Sequence, residues 1–429
     1  MRVIIIGAGT GGMCLAHGLR RAGVEVSVYE RDRTPTGGLF GYRVGIDPTG
    51  NRALRDCLPP ELFDTFLATC ARAPKHFNAY TQDLKRLVSV DLRDDSDPIN
   101  SERSVSRTIL RQVLLTGMDD VVHFDKTFVR YEQHTNSVTA YFSDGSSATA
   151  DVLVAADGTR SAVRQQYLPH ARVEDAGVIS LTTKLPITAE TRALLPKEAF
   201  EGLSLIFGTR GTLGIVHVME FNWNKPGGSE PLNRWHGLLR DNTDDYINIA
   251  MWTSADRFAA NVGKLRGAEV IELALEMTPH WHPHLRRLFE LGDPASSFPV
   301  VTATSVPVDP WPTTNVTLLG DAIHTMTPGH GVGANTALRD AALLCRCLVG
   351  SDGSLLDAIG AYEAEMIPYG FARVRDSLNN NGTSGNDPLY RPFAGRLAMA
   401  GARTYFRAVD KIPSVRRKFV DDLTTYRES

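Results

Sequence analysis

Three glycines near the start of the chain, Gly7, Gly9 and Gly12, carry the spacing G-x-G-x-x-G. They follow the β-branched run RVIII (residues 2–6) and precede MCLAHGLRRAG (residues 13–23), where Leu15 and Leu19 share a helix face and Gly23 is a stop. That order suits the pyrophosphate of a dinucleotide. The first glycine permits a tight turn, the second lets the backbone approach the phosphates, and the third lets helix and strand pack closely. The helix N-terminus then points its free N–H groups at the ligand. Glu30 closes the next strand-like run, VEVSVYE, near the ~20-residue offset at which a carboxylate meets an adenosine ribose. An acid there favours an unphosphorylated ribose, hence NAD or FAD over NADP. Arg31, its neighbour, is counted with the cofactor-binding residues.

A second set of such residues comes late. NVTLLGD (residues 315–321) reads as a strand running out to Asp321, preceded by Gly320. Open α/β sheets bind ligands at the carboxyl ends of their strands, so Asp321 is placed to accept a hydrogen bond from a ribityl hydroxyl. Pro328, Gly329, Gly331, Gly333, Ala334 and Asn335 then lead into the helix-like run TALRDAALLCRCL. A helix start favours negative charge by ~0.3–1 kcal/mol, and by ~2 when partly buried. That suits the charge a reduced flavin carries near N1 and O2. The first motif would hold an adenine half, and this one a flavin half. A third segment, ADVLVAADGTRSAVR (residues 150–164), is a buried strand followed by Asp157, Gly158, Ser161 and Arg164.

Taken in order, the three segments resemble the motifs of group A flavoprotein monooxygenases, the para-hydroxybenzoate hydroxylase-like family. Its central motif, D-G-x-x-S-x-V-R, matches residues 157–164, and its late motif, G-D-A-x-H-x-x-x-P, matches residues 320–328. The resemblance implies FAD as cofactor, NADPH or NADH as reductant, and O2 as co-substrate. It implies hydroxylation of an aromatic or polycyclic small molecule through a hydroperoxide at flavin C4a, with no obligatory acid–base dyad. It places Arg43, in GYRVG, beside the flavin, and Arg111, in SRTILRQVLL, on the cofactor, with Arg107 as the alternative. It brings Asp157 and Arg164 near the route of the nicotinamide, with no second dinucleotide fingerprint needed. His324 is read as a structural hydrogen-bonder. His330 departs from many members, which carry a smaller or apolar residue there, and serves either the loop or a proton or substrate contact. A flavin oxidase or dehydrogenase on the same fold stays open, as does a FAD protein that only shelters an intermediate. A halogenase is disfavoured, because no W-x-W-x-I-P stretch occurs.

The elements that must position these residues follow from the rest of the chain. The expected fold is α/β: a Rossmann-like FAD-binding domain of the GR2 type, an inserted, mostly antiparallel β-sheet substrate domain, and C-terminal helices. Residues 1–75, 100–170 and 299–394 are assigned to the FAD-binding domain. Residues 76–99 and 171–298 are assigned to the substrate sheet, and 395–429 to the helices. Strand-like runs such as GVISLTTKL, LSLIFGT, LGIVHVMEF and DYINIAMW, parted by turns such as NKPGG, support the sheet. Pockets form between domains, so the substrate would lie between this sheet and the flavin. Side chains alternate along a strand, and His217 and Met219 are named as substrate-lining, ahead of Phe221 and Trp252. Arg210 reads as a solvated turn. The cluster Arg416, Arg417 and Lys418 reads as a solvated helix face rather than a membrane contact, since Asp421 and Asp422 follow.

Bulk properties set the outer bounds. The chain has 429 residues, 42% hydrophobic and 22% charged, which is ordinary globular composition. Lys plus Arg number 46 against 49 Asp plus Glu, for a formal charge of −3, which gives no electrostatic case for a nucleic-acid partner. The five cysteines show neither zinc spacing nor a disulfide framework. The first residues lack a signal-peptide h-region, and no apolar run nears the ~20 residues of a membrane span. The expectation is a soluble cytoplasmic protein, a monomer or homodimer, whose partners are a small-molecule substrate and O2.

Overall fold

The structure is a computed structural model that describes residues 1–37, 43–92, 97, 99–224, 230–235, 238, 244–328, 331–350, 353–379 and 382–428. Elements are numbered in chain order. Arg2–Ile6 (β1) is buried from Val3 onward, the pattern of a central parallel strand covered on both faces. It pairs in parallel with Glu25–Tyr29 (β2) on one side and Val152–Ala155 (β11) on the other. Val122–His123 (β7) extends the sheet beyond β2, and Val316–Leu318 (β17) beyond β11, giving the order β17-β11-β1-β2-β7. Parallel neighbours cannot be joined by hairpins, so the ends of β1, β11 and β17 come together from three distant stretches of chain. Phe128–Gln133 (β8), Val138–Phe142 (β9) and Ser147–Ala150 (β10) form an antiparallel meander, and Arg43–Ile46 (β3) pairs with Arg103–Ser106 (β6).

The second large sheet has the order β16-β12-β15-β14-β13-β4-β5. Its strands are Phe298–Ser305 (β16), Val173–Pro186 (β12), Tyr246–Ser254 (β15), Leu213–Met219 (β14), Gly202–Phe207 (β13), His76–Thr81 (β4) and Arg86–Asp91 (β5). All neighbours are antiparallel except β13 and β4. The expected boundary at 298 needs correction: β16 stays hydrogen-bonded to β12, so the sheet continues to Ser305.

The helices are Thr10–Arg21 (α1), Pro48–Cys57 (α2), Pro60–Thr69 (α3), Arg107–Leu115 (α4), Ala162–Tyr167 (α5), Ala189–Ala193 (α6), Lys197–Phe200 (α7), Glu230–Asn233 (α8), Ala268–Met277 (α9), Pro283–Glu290 (α10), Asp321–His324 (α11), Gly333–Gly350 (α12), Leu355–Leu378 (α13), Pro392–Lys411 (α14) and Pro413–Glu428 (α15). Helix α1 packs on α12, α2 and α4.

Strand alternation sorts the large sheet into two faces. Val216, Ile247, Ile249 and Met251 form one core with Val270 and Ala274 of α9 and Leu285 and Phe289 of α10. On the opposite face, Met219, Tyr246 and Phe298 join the core of the parallel sheet, while Leu203, Leu205 and Phe207 pack with Phe406 and Val409 of α14. Arg416 donates to the Ser89 carbonyl at 3.2 Å, whereas Arg417 and Lys418 are exposed. No helix among the described residues is long and apolar enough to cross a membrane.

Candidate active site

The glycine turn is pressed against the end of β11. Gly7 has φ +108°, and a Cβ there would lie 2.4 Å from the Ala156 carbonyl oxygen. A Cβ on Gly12 would lie 2.3 Å from the Gly7 carbonyl oxygen, so only glycine allows the helix to seat this deeply. Gly9 differs: a Cβ there would meet nothing within 4 Å, so its face is open to a ligand at the start of α1. Glu30 reaches back to this turn. Its Oε2 accepts from the Ala8 N–H at 2.8 Å, and its Oε1 from the Asp32 N–H at 3.0 Å. Arg31 is exposed beside it.

Arg111 lies at the same end. Its Nη1 donates to Asp32 at 2.9 Å, and its Nη2 is 4.0 Å from Glu30. The Nε and Nη2 groups are buried without a hydrogen-bond partner. Such donors are costly to leave unmade, and a phosphate or ribose oxygen would satisfy them.

Asp157 follows β11. Its Oδ2 accepts from the Ala162 and Val163 N–H groups at 2.8 and 3.4 Å, while Oδ1 is buried without a partner. Burial lifts its carboxyl above the usual range, against its hydrogen bonds. Gly158 turns the chain at φ +77° with open space at its Cβ position. Arg164 turns inward. It is 4% exposed, and its guanidinium donates to the Ala322 and Thr159 carbonyls at 2.8 and 3.0 Å. It therefore braces the central motif against the late one, with its Nε buried without a hydrogen-bond partner.

The late motif forms a sharp turn at Gly320, with φ +59°. Asp321 starts α11 rather than ending a strand. Its side chain is exposed at the end of the parallel sheet. Desolvation lifts its carboxyl above the usual range, opposed by the charges of His324 and Arg107. Beneath it lies a group no local motif announced. Asp340, fully buried on α12, accepts from the Gly320 N–H at 2.7 Å, from His324 Nε2 at 2.6 Å, and from the Tyr369 hydroxyl. His324 is thus a structural hydrogen-bonder. The one sequence signal for Asp340 is an acid inside the apolar run TALRDAALLCRCL.

Gly331, at φ +67°, has nothing within 4 Å of its Cβ position, and its N–H donates to the carbonyl of exposed Pro328 at 3.0 Å. Gly333 and Ala334 open α12. The side chain of Asn335 is committed to protein: it accepts from Asp47 N–H at 3.0 Å and donates to the Gly45 carbonyl at 2.9 Å. Any cofactor contact it makes must come from its backbone. His330 and Gly329 lie outside the described residues.

The large antiparallel sheet meets this edge near β3 and β6, where Ala71 bridges both Ser104 of β6 and Phe221. Arg43 donates to Glu102 at 2.7 Å and to Ser104 at 2.8 Å, and its register partner is Ser106, the residue before Arg107. His217, on β14, lies within reach of Arg43. Burial, then the Arg43 charge, push its imidazole well below the ordinary histidine value. Met219 departs from expectation: it is 1% exposed and packs in the core. Phe221 is also core, stacked on Trp223 at 4.1 Å, and Trp252 donates to the Gly382 carbonyl at 3.0 Å. Arg210 sits exposed in a turn.

Family models agree with this layout. An NAD(P)-binding Rossmann-like domain matches residues 5–66, and an FAD binding domain matches residues 285–361. The chain is 31% identical, over 94% of its length, to a dual O-methyltransferase/FAD-dependent monooxygenase of Phaeosphaeria nodorum, and spans 46% of that relative. A solved structure from Photorhabdus luminescens, assigned as an FAD-containing monooxygenase, is 32% identical and superposes with TM-score 0.75, covering 88% of this chain and 96% of that one. Klebsiella pneumoniae HpxO, solved with FAD and uric acid, gives TM-score 0.78 over 100% of this chain and 97% of that one; its 20% identity speaks to fold alone. Motifs, fold and near full-length likeness to that bacterial protein agree: the chain belongs to the FAD-dependent monooxygenases of the para-hydroxybenzoate hydroxylase-like family.

Proposed function

We propose that the chain uses FAD, NADPH or NADH, and O2 to hydroxylate an aromatic or polycyclic small molecule held between the parallel sheet and the large antiparallel one. The observation that carries this reading is the row of ligand-ready groups along one sheet edge: the open Gly9 turn, the unpartnered Arg111 N–H groups, the unpartnered Oδ1 of Asp157, and the exposed carboxylate of Asp321. Their order fits a long two-headed cofactor better than a mononucleotide.

A bound FAD would supply the redox chemistry, carrying the hydride of NAD(P)H to O2 so that, with one proton from solvent, one oxygen atom would enter the substrate and the other leave as water. The protein's own residues bind and orient. Gly9 and the start of α1 receive the pyrophosphate, Glu30 and Arg111 flank the adenosine ribose, and Asp321 accepts from the ribityl chain. The start of α12 favours negative charge at the pyrimidine edge. Walls that exclude water protect the oxygenating step from loss as peroxide.

The test is anaerobic photometry of the FAD-loaded protein. NADPH or NADH, with an aromatic panel present, should bleach the flavin. Readmitting isotopically heavy O2 should then label the product. Flavin that neither nucleotide bleaches with any compound would overturn the reading, and unlabelled product with stoichiometric peroxide would favour an oxidase.

A further inference from the structure

We propose that the outer face of α14 docks on an anionic lipid surface, with Phe393 and Leu397 entering the headgroup layer and Arg396, Arg403 and Arg407 meeting the phosphates. The inference concerns where the protein attaches and stands apart from the oxygenation reading above.

The argument begins with the helical repeat. Gly395, Met399, Phe406 and Val409 form the buried line of α14. Met399 packs with Leu213 and Leu389, and Phe406 and Val409 pack with Phe77 and Val90. A Cβ on Gly395 would lie 2.2 Å from the Leu389 carbonyl oxygen, so the helix is pressed down and its roll is fixed. At 3.6 residues per turn, Phe393, Leu397, Ala400 and Thr404 form the line on the far side. All four are exposed. Phe393 is 78% exposed and Leu397 63%, the highest values for large hydrophobic side chains among the described residues. Scattered single residues of this kind are ordinary, whereas neighbours on one face mark a contact surface.

Charge names the occupant. Residues 391–418 hold eight Lys or Arg and one acid, Asp410, in a chain that is slightly acidic as a whole. Arg416, Arg417 and Lys418 are offset by Asp421 and Asp422 on their own helix, so the case rests on α14. Arg396, Arg403 and Arg407 follow one flank of the apolar line, and none of the three forms an ion pair among the described residues. Tyr405 lies on the other flank, near Asp422 of α15, so the arginine side is the one turned to an anion. A second copy of this face would set arginines against arginines with one acid per helix to offset them, which is unfavourable. A purely ionic partner would leave Phe393 and Leu397 in water. A lipid surface answers both, with phosphates for the guanidinium groups and acyl chains beneath them for the apolar pair. Arginine stems lie along the apolar line while their heads reach outward to the phosphates.

The experiment mixes the full chain with vesicles of phosphatidylcholine alone, or with about one third phosphatidylserine, and reads co-sedimentation. Wild type should bind the anionic vesicles at least about tenfold more tightly than the neutral ones. Salt should release it, as the Debye length falls from about 10 Å at ~0.1 M to about 3 Å at ~1 M. Phe393→Ser with Leu397→Ser should weaken binding by at least about tenfold. Arg396→Gln, Arg403→Gln and Arg407→Gln together should weaken it about a hundredfold, about fivefold for each charge near the surface. Val129→Ser, which removes a side chain 55% exposed on β8, should bind as wild type does. An unchanged Tm shows that each variant is folded. No binding of wild type to anionic vesicles, equal binding to neutral ones, or wild-type binding by the Ser and Gln variants would overturn the inference. So would a wild-type dimer in sedimentation that Phe393→Ser with Leu397→Ser turns into a monomer while vesicles capture neither, because the face would then belong to a second copy.

Discussion

Asp340 shows how much one buried carboxylate can organise. Three donors converge on it, from Gly320, His324 and Tyr369, so its removal leaves a turn N–H and an imidazole unpaired beneath Asp321. Asp340→Ala should cost about 3–5 kcal/mol, the scale for breaking a buried ion pair. Asp340→Asn, which keeps an acceptor, should cost about 1–2 kcal/mol and retain more FAD. The pair also has a pH signature. Burial works against protonation of His324, but the charge and hydrogen bond of Asp340, with the charge of Asp321, outweigh it and raise the imidazole above its ordinary value. A raised folded-state value stabilises fully below the unfolded value, near 6.5, and that contribution is lost as pH rises through the folded value. The Tm gap between wild type and Asp340→Asn should therefore narrow from pH 6 to pH 9. A gap constant across that range would rule out a charged pair. The contrast with Gly7, Gly12 and Glu30 explains what the sequence could disclose. Those residues act on neighbours a few positions or one strand away, so spacing reveals them. Asp340 acts across the fold and looks locally like one acid on an amphipathic helix. Arg164 makes a related point: a motif gives a residue's place on the chain, but not that its guanidinium reaches the carbonyls of Ala322 and Thr159.

At the scale of elements, the seam between α1 and α4 carries the cofactor loop on one side and Arg111 on the other. His17 holds it: buried on α1, its Nε2 lies 2.8 Å from the Leu114 carbonyl of α4. Burial chiefly, with the charges of Arg20 and Arg21, lowers its imidazole to about 4, against the carbonyl hydrogen bond. A lowered histidine value stabilises the fold above the unfolded value of 6.5 and is lost as pH falls toward 4. That linkage amounts to about 3 kcal/mol. Wild type should lose Tm and release FAD between pH 6.5 and 4.5 more steeply than His17→Leu, which should be less stable near pH 7 by about 1 kcal/mol for the missing hydrogen bond. Parallel pH curves for the two would refute the assignment. Most of these elements were legible, because β1, β2 and β11 are short β-branched runs with glycine or acid at their ends. Two pairings were not. β4 lies parallel to β13, far along the chain, and no hairpin turn marks such a partner. β16 also reads equally well as either domain's strand until its hydrogen bonds to β12 are seen.

For the whole molecule, the question is how the face of the large sheet turned toward the cofactor domain, the proposed substrate face, is kept from water. Two bodies cover it from opposite ends. The cofactor domain is tied on where Ala71 bridges Ser104 and Phe221, and where the Ser305 N–H donates to the Thr325 carbonyl at 2.8 Å. The C-terminal helices close the other end through Phe406 and Val409 against Phe77, Val88 and Val90. The first tie reaches the row of cofactor groups, since the Thr325 hydroxyl donates to the Asp321 carbonyl at 2.8 Å, but the C-terminal seal is built from none of them, so at that end coupling and cofactor binding should separate. Phe406 is 9% exposed, and Phe406→Ala should cost about 3–5 kcal/mol of packing. It should loosen α14 while leaving the flavin spectrum and the rate of NAD(P)H oxidation close to wild type. Water entering beside the flavin would divert reduced oxygen to peroxide, so the H2O2 formed per NAD(P)H consumed should rise several-fold as hydroxylated product falls. If Tm drops and that ratio stays at the wild-type level, the C-terminal helices stabilise the sheet without sealing it, and water must be excluded by the cofactor domain alone.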